Sequence, residues 1–182
     1  MSDINYQSYA NVDGIVVENL VLSPPNQGAG FDDLFKNSHV TNSVFDGVTV
    51  NGGKQAENAM DCNNGTAGNT YRRLKLTPGV ECAVLLKDGF CKNTIDDLEI
   101  TAHGGDSDIY IGDFSDQGGA KCTSNTFNNV RMTDGSAVRV SWTFFRAEKP
   151  RFTNSKISYQ YLLSAVRTIY VEAKYLFPKL IP

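Results

Sequence analysis

Hydrophobic positions along this chain recur in a six-residue phrase whose first, fourth and sixth residues are mostly apolar and whose second, third and fifth are mostly polar. Residues 17–22 read VENLVL, 45–50 FDGVTV, 71–76 YRRLKL, 95–100 IDDLEI, 127–132 FNNVRM and 152–157 FTNSKI. The leading residues Val17, Phe45, Tyr71, Ile95, Phe127 and Phe152 are separated by 28, 26, 24, 32 and 25 residues, inside the window of solenoid repeats. Positions four and six are spaced as in a strand, and the polar pair at two and three predicts a bend between that strand and the leading residue.

A second series lies between the phrases. Met60 and Cys62, Val84 and Leu86, Ile109 and Ile111, and Val138 and Val140 are apolar pairs two residues apart, with first members separated by 24, 25 and 29 residues. Turn signals recur between the two series, at 51–53 (NGG), 77–79 (TPG), 101–105 (TAHGG) and 133–135 (TDG). Asn-Thr stands just before three phrases, at Asn69-Thr70, Asn93-Thr94 and Asn125-Thr126, with Asn42-Ser43 one position earlier in its coil. Asn at a bend bonds local backbone, and stacked copies bond one another along a coil axis. Each repeat therefore reads as a coil with at least two strands whose alternate residues face inward.

Coils of 24 to 32 residues that all turn the same way resemble the right-handed parallel β-helix of the pectate-lyase-like superfamily, over roughly residues 17–157. The resemblance implies an all-β fold, a right-handed parallel β-helix of about six coils. Residues 1–16 are expected to cap one end, and residues 158–182 to form a C-terminal cap or oligomerisation segment. Leu162, Ala165, Val166, Ile169, Ala173 and Leu176 fall near helical spacing there, while Thr168 to Val171 favour strand, so helix and irregular coil both stay open. The superfamily includes polysaccharide lyases, polygalacturonase-type hydrolases, alginate epimerases and bacteriophage tailspikes, so the fold by itself assigns no reaction.

Composition narrows the classes of partner. A chain of 182 residues, 41% hydrophobic and 20% charged, is sized for one globular domain. A net charge of -3 with scattered Lys and Arg argues against nucleic acid. Apolar runs of four to five residues are far short of a membrane span. The N-terminus lacks the basic start and apolar core of a secretory signal, so synthesis in the cytosol without a signal peptide is expected, with a virion as a destination. Cys62, Cys82, Cys91 and Cys122 show no CxxC pair and no His at ligand spacing, and read as free thiols filling apolar space.

Two outward ladders follow from the alignment. Thr49, Lys75, Glu99, Arg131 and Lys156 share one phrase position, which stacks opposite charges. Asp61, Leu85, Tyr110 and Arg139 share a position in the second series, followed by Trp142, Phe144 and Phe145. Aromatics beside a guanidinium and a carboxylate suit a shallow carbohydrate groove, so Asp61, Tyr110, Arg139 and Trp142 are the candidate binding residues; core or subunit contact is the competing role for the rings.

The richest polar stretch is residues 100–119, ITAHGGDSDIYIGDFSDQGG, which belongs to the lengthened 32-residue coil. His103, Asp106 and Asp108 are the catalytic candidates if the chain is an enzyme. Asp106, Asp108, Asp113 and Asp116 are the oxygen ligands available for calcium, although their spacing matches neither an EF-hand nor a nonapeptide β-roll; no other cofactor is expected. Residues 93–97 (NTIDD) and His103-Gly104-Gly105 resemble polygalacturonase motifs, but Asp96 and Asp97 occupy the ordinary bend positions of the repeat. Substitution of His103, Asp106 or Asp108 by Ala is expected to leave folding intact.

Two functions compete. One is a non-catalytic structural or carbohydrate-binding module, tailspike-like and virion- or surface-associated, a homotrimer whose partners are a surface polysaccharide or other virion proteins. The other is a lyase, glycoside hydrolase or epimerase acting on an acidic polysaccharide.

Overall fold

The computed structural model describes residues 6–8, 11–24, 31–53, 56–105, 107–112, 120–143 and 147–162. They form a parallel β-solenoid of about five turns, with essentially no helix. The phrases build one sheet. Its rungs are Val16–Glu18 with Val21–Leu22, Val44–Asp46 with Thr49–Asn51, Thr70–Thr77, Thr94–Ile100, Thr126–Met132 and Arg151–Thr153. The apolar pairs build a second, seven-stranded sheet: Tyr6–Ser8, Phe31–Ser38, Ala56–Asn63, Cys82–Leu86, Ile109–Ile111, Val138–Thr143 and Ile157–Leu162. A narrow third face joins Val12–Asp13 to Val40–Thr41 and continues as bridges through Ala67 and Cys91.

Register in the phrase sheet is the one the spacing predicts. Val17 pairs with Phe45, Phe45 with Tyr71, Tyr71 with Ile95, Ile95 with Phe127 and Phe127 with Phe152. Phe45, Tyr71, Ile95 and Phe127 are buried in one core cluster, and the Phe45 and Tyr71 rings stack 5.0 Å apart. The predicted bend is present in every rung: Asn19, Gly47, Arg73, Asp97, Asn129 and Asn154 all have φ between 52° and 70°. That left-handed conformation turns the chain between the leading residue and the strand, and it explains why Asn, Asp and Gly dominate the position.

The Asn ladder also forms. Asn69 Oδ1 accepts from Ser43 N at 2.8 Å, Asn93 Oδ1 from Asn69 N at 2.9 Å and Asn125 Oδ1 from Asn93 N at 3.1 Å. Each amide also donates to a carbonyl one coil away, of Val40, Thr66 and Phe90 respectively. These bonds satisfy buried bend backbone that no strand partner reaches. On the outside, Lys75 meets Glu99 at 3.3 Å and Arg131 meets Glu99 at 3.4 Å, the expected alternation of charge.

Pairing reaches past both edges of the expected solenoid. Tyr6–Ser8 and Val12–Asp13 pair in parallel within the segment assigned to the N-terminal cap, and Ile157–Leu162 adds a strand within the C-terminal one. Residues 163–182, on which the choice between helix and irregular coil falls, lie outside the described residues. All four cysteines are free, and Cys62, Cys82 and Cys122 are buried. Among the described residues no helix is long and apolar enough to cross a membrane.

Candidate functional site

The outer side of the pair sheet gathers the chemistry. Phe35, Met60, Val84, Ile109 and Val140 align across its strands and face the core. Strand alternation sends the next residue of each outward, in the order Lys36, Asp61, Leu85, Tyr110 and Ser141. The expected ladder is thus correct as far as Tyr110 and wrong at its end. Val140, not Val138, aligns with Ile109, so Ser141 takes the place assigned to Arg139. The alternation Val138, Val140, Trp142 is unchanged by a two-residue shift, and nothing in the pattern could locate the offset.

The ladder is not the open aromatic groove that the sequence suggests. Trp142 lies in the core cluster, 2% exposed, with its ring edge-on to Tyr159 at 4.9 Å. Tyr110 is 4% exposed and forms a separate small apolar cluster with Cys82 and Leu85, its hydroxyl 2.9 Å from Thr143 Oγ1. Neither ring is presented to a sugar. Phe144 and Phe145 lie outside the described residues.

Asp61 is fully buried, and its surroundings come from three coils. Lys36 Nζ stands 2.7 Å from Asp33, 3.1 Å from Asp32 and 3.2 Å from Asp61, while Lys87 Nζ approaches Asp61 at 3.4 Å. Asn63 donates to both Asp61 oxygens at 3.2 and 3.1 Å. Both carboxylates contact a single ammonium, so their nearest oxygens lie no more than about 6 Å apart. Burial pushes the Asp61 carboxyl up to about 6, with the charge of Asp33 adding to it and Lys87 and Lys36 drawing it back. Burial works against the charge on Lys36, but the hydrogen bond and charge of Asp33 outweigh it and hold the ammonium firmly protonated. Beside this cluster a shallow cleft of about 190 Å³ is lined by Asp32, Asp33, Glu57, Asn58, Glu81, Leu85 and Lys87. Glu57 shares a hydrogen bond with Asp32 that raises its carboxyl.

Two coils further on, His103, Asp108 and Arg139 come together. Asp108 is fully buried and accepts from Arg139 N at 2.8 Å and Gly104 N at 3.2 Å, with His103 Nδ1 at 3.0 Å. The Arg139 guanidinium reaches the same carboxylate at 3.4 Å and the Gly104 carbonyl at 2.9 Å. Asp108 therefore ties the connector between the two sheets, and these bonds argue against the expectation that its removal is harmless. His103 is partly exposed, with Nδ1 engaged by Asp108. Asp106, Asp113 and Asp116 lie outside the described residues. Most of the lengthening of this coil falls after Ile111 and not in the His103–Asp108 connector, since Ile100 to Ile109 is only one residue longer than the aligned Leu76 to Val84. Among the described residues no group of three or more His, Cys, Asp or Glu is arranged to hold a metal ion.

Sequence reasoning missed Asp33, Lys36, Glu57, Glu81 and Lys87. One signal pointed to the first two: Phe35 and Asn37 precede Met60 and Cys62 by 25 residues, but polar Asn37 hides the pair from an apolar pattern. No protein-family model, curated protein or solved structure matches the chain, so the reading of its function rests on this geometry.

Proposed function

We propose that this chain is a non-catalytic structural or carbohydrate-binding β-helix module, tailspike-like and carried on a virion or other surface, in the manner of the non-enzymatic members of the pectate-lyase-like superfamily. The observation that carries this reading is the closure of the carboxylates best suited to chemistry. Asp61 and Asp108 are each 0% exposed and already bonded to cations or backbone, so neither is offered to a substrate. Accessible on and beside the outer pair sheet are Asp32, Glu57, Glu81, His103, Ser158 and Gln160, with the half-buried cations Lys87 and Arg139, all groups that hydrogen-bond sugar hydroxyls. At the cleft the accessible carboxylates Asp32, Glu57 and Glu81 outnumber Lys87, an excess that favours neutral or amino-bearing sugars over uronates and weighs against a lyase acting on an acidic polymer. A glycan array with sedimentation velocity tests the proposal. A homotrimer that retains a glycan without shortening it supports the module; release of new reducing or unsaturated ends refutes it.

A second reading has an observation of its own. Asp33 and Asp61 come from neighbouring coils and share the Lys36 ammonium, and burial raises one of them, the pattern of an acid and base with divided roles. Under this reading Lys36 and Lys87 swing aside on substrate binding, and Asp61→Asn abolishes any hydrolysis while His103→Ala does not.

A further inference from the structure

Among the described residues, the hydrophobics only partly buried against the solenoid core lie at its two ends. They are Val12, Ile15, Val17 and Leu20 in the first coil, and Phe152 and Ile157 in the last. Val16 and Val21, 64% and 66% exposed, add apolar surface to the first coil, as Tyr159 at 36% does to the last. Among the described residues both ends finish in parallel strands with one unpaired edge, Val16–Glu18 and Arg151–Thr153 in the phrase sheet. Such an edge is a template for another strand.

The ends differ in charge. Residues 11–24 carry Asp13 and Glu18 and neither Lys nor Arg, whereas residues 147–162 carry Lys149, Arg151 and Lys156 against Glu148. They also match in register. Continuing the phrase ladder past the last rung would set Phe152 beneath a second Val17, Thr153 beneath Glu18, left-handed Asn154 beneath left-handed Asn19, and Lys156 beneath Val21. Arg151 would then lie diagonally across from Glu18, within reach of a long side chain. Because every coil runs in the same sense, a head-to-tail neighbour offers strands of the correct direction, which a head-to-head neighbour does not.

We infer that the acidic N-terminal end of this solenoid docks on the basic C-terminal end of a second copy, continuing the β-ladder from one molecule into the next. The contact is heterologous and does not close on itself, so it builds linear stacks. It is distinct from the lateral homotrimer of the proposed function, and either can exist without the other.

Sedimentation velocity on the full chain from micromolar to millimolar concentration, at low and high salt, tests it. The expected result is a mass that keeps rising with concentration, from the 19.9 kDa chain or from its trimer, and that falls as salt screens the end charges. Val16→Lys and Val21→Lys sit at exposed positions, so folding survives them, and each should move the association midpoint about tenfold or more to higher concentration. Glu18→Arg should abolish stacking, and Arg151→Glu in the same chain should restore it. A fixed monomer or trimer at all concentrations overturns the inference, a trimer doing so without touching the proposed function. Growth that ignores these substitutions overturns it as well.

Discussion

Removing the ammonium of Lys36 tests the cluster on the pair sheet most directly. In Lys36→Met the methylene stem survives, but Asp33 and Asp61, 1% and 0% exposed, lose the cation that lies 2.7 and 3.2 Å away. Stranding buried charge in this way costs about 3 to 5 kcal/mol at neutral pH. The wild type supplies the reference. An Asp61 carboxyl that titrates near 6 in the fold and near 3.8 when unfolded holds its proton more tightly in the native state, by about 3 kcal/mol. That stability is fully present below 3.8 and is lost as pH rises through about 6, so the wild type should be more stable at pH 5 than at pH 7.5. Asp32, lowered by its hydrogen bond to Lys36, works in the opposite sense, and its contribution is lost as pH falls below the ordinary carboxylate range. Urea unfolding followed by circular dichroism, at intervals between pH 4 and 8, measures both curves. Lys36→Met should be least stable at pH 7.5 and recover much of its deficit at pH 5, where Asp61 takes up a proton. A variant as stable as wild type at pH 7.5, or a deficit equal at every pH, would refute the assignment of a charged, sealed cluster.

Asn93→Ala leaves the buried Asn69 amide without its acceptor and takes one of two donors from the Thr66 carbonyl, which keeps Cys91 N, so thermal unfolding should show a loss of about 1 to 3 kcal/mol. Lys92 holds φ at 56° on the surface, in the bend position that Gly68 fills one coil earlier, so Lys92→Asn should stabilise by about 0.5 to 1 kcal/mol in urea titration. Gly79→Ala should do the reverse, by about 1 to 3 kcal/mol or more, because a Cβ there meets the Ala56 and Glu57 carbonyls. Asp108→Ala should cost about 2 to 4 kcal/mol by stranding Gly104 N and Arg139 N, while His103→Ala stays within about 0.5 kcal/mol of wild type; equal effects would refute that tie.

The repeat of apolar and polar positions was sufficient to establish the coil, its register in the phrase sheet, the bends and the Asn ladder. Each of these is a local preference copied along the chain: Phe, Tyr or Ile inward at the head of a phrase, a left-handed polar residue after it, an Asn before it. Copies of one pattern can stack in only one way that keeps all of them buried, so Tyr71, Ile95 and Phe127 had to meet. Tertiary structure alone decided where the pattern is silent. A two-residue shift at Val138 leaves the inward set unchanged yet moves Arg139 off the Tyr110 ladder and onto Asp108. Lys36 meets Asp61 across 25 residues of chain, and Lys87 meets it across 26, because coil closure brings together side chains with no relation in sequence. Exposure was equally out of reach of the pattern, since alternation says which side of a sheet Asp61, Tyr110 and Trp142 occupy, whereas the neighbouring side chains determine whether that side meets water.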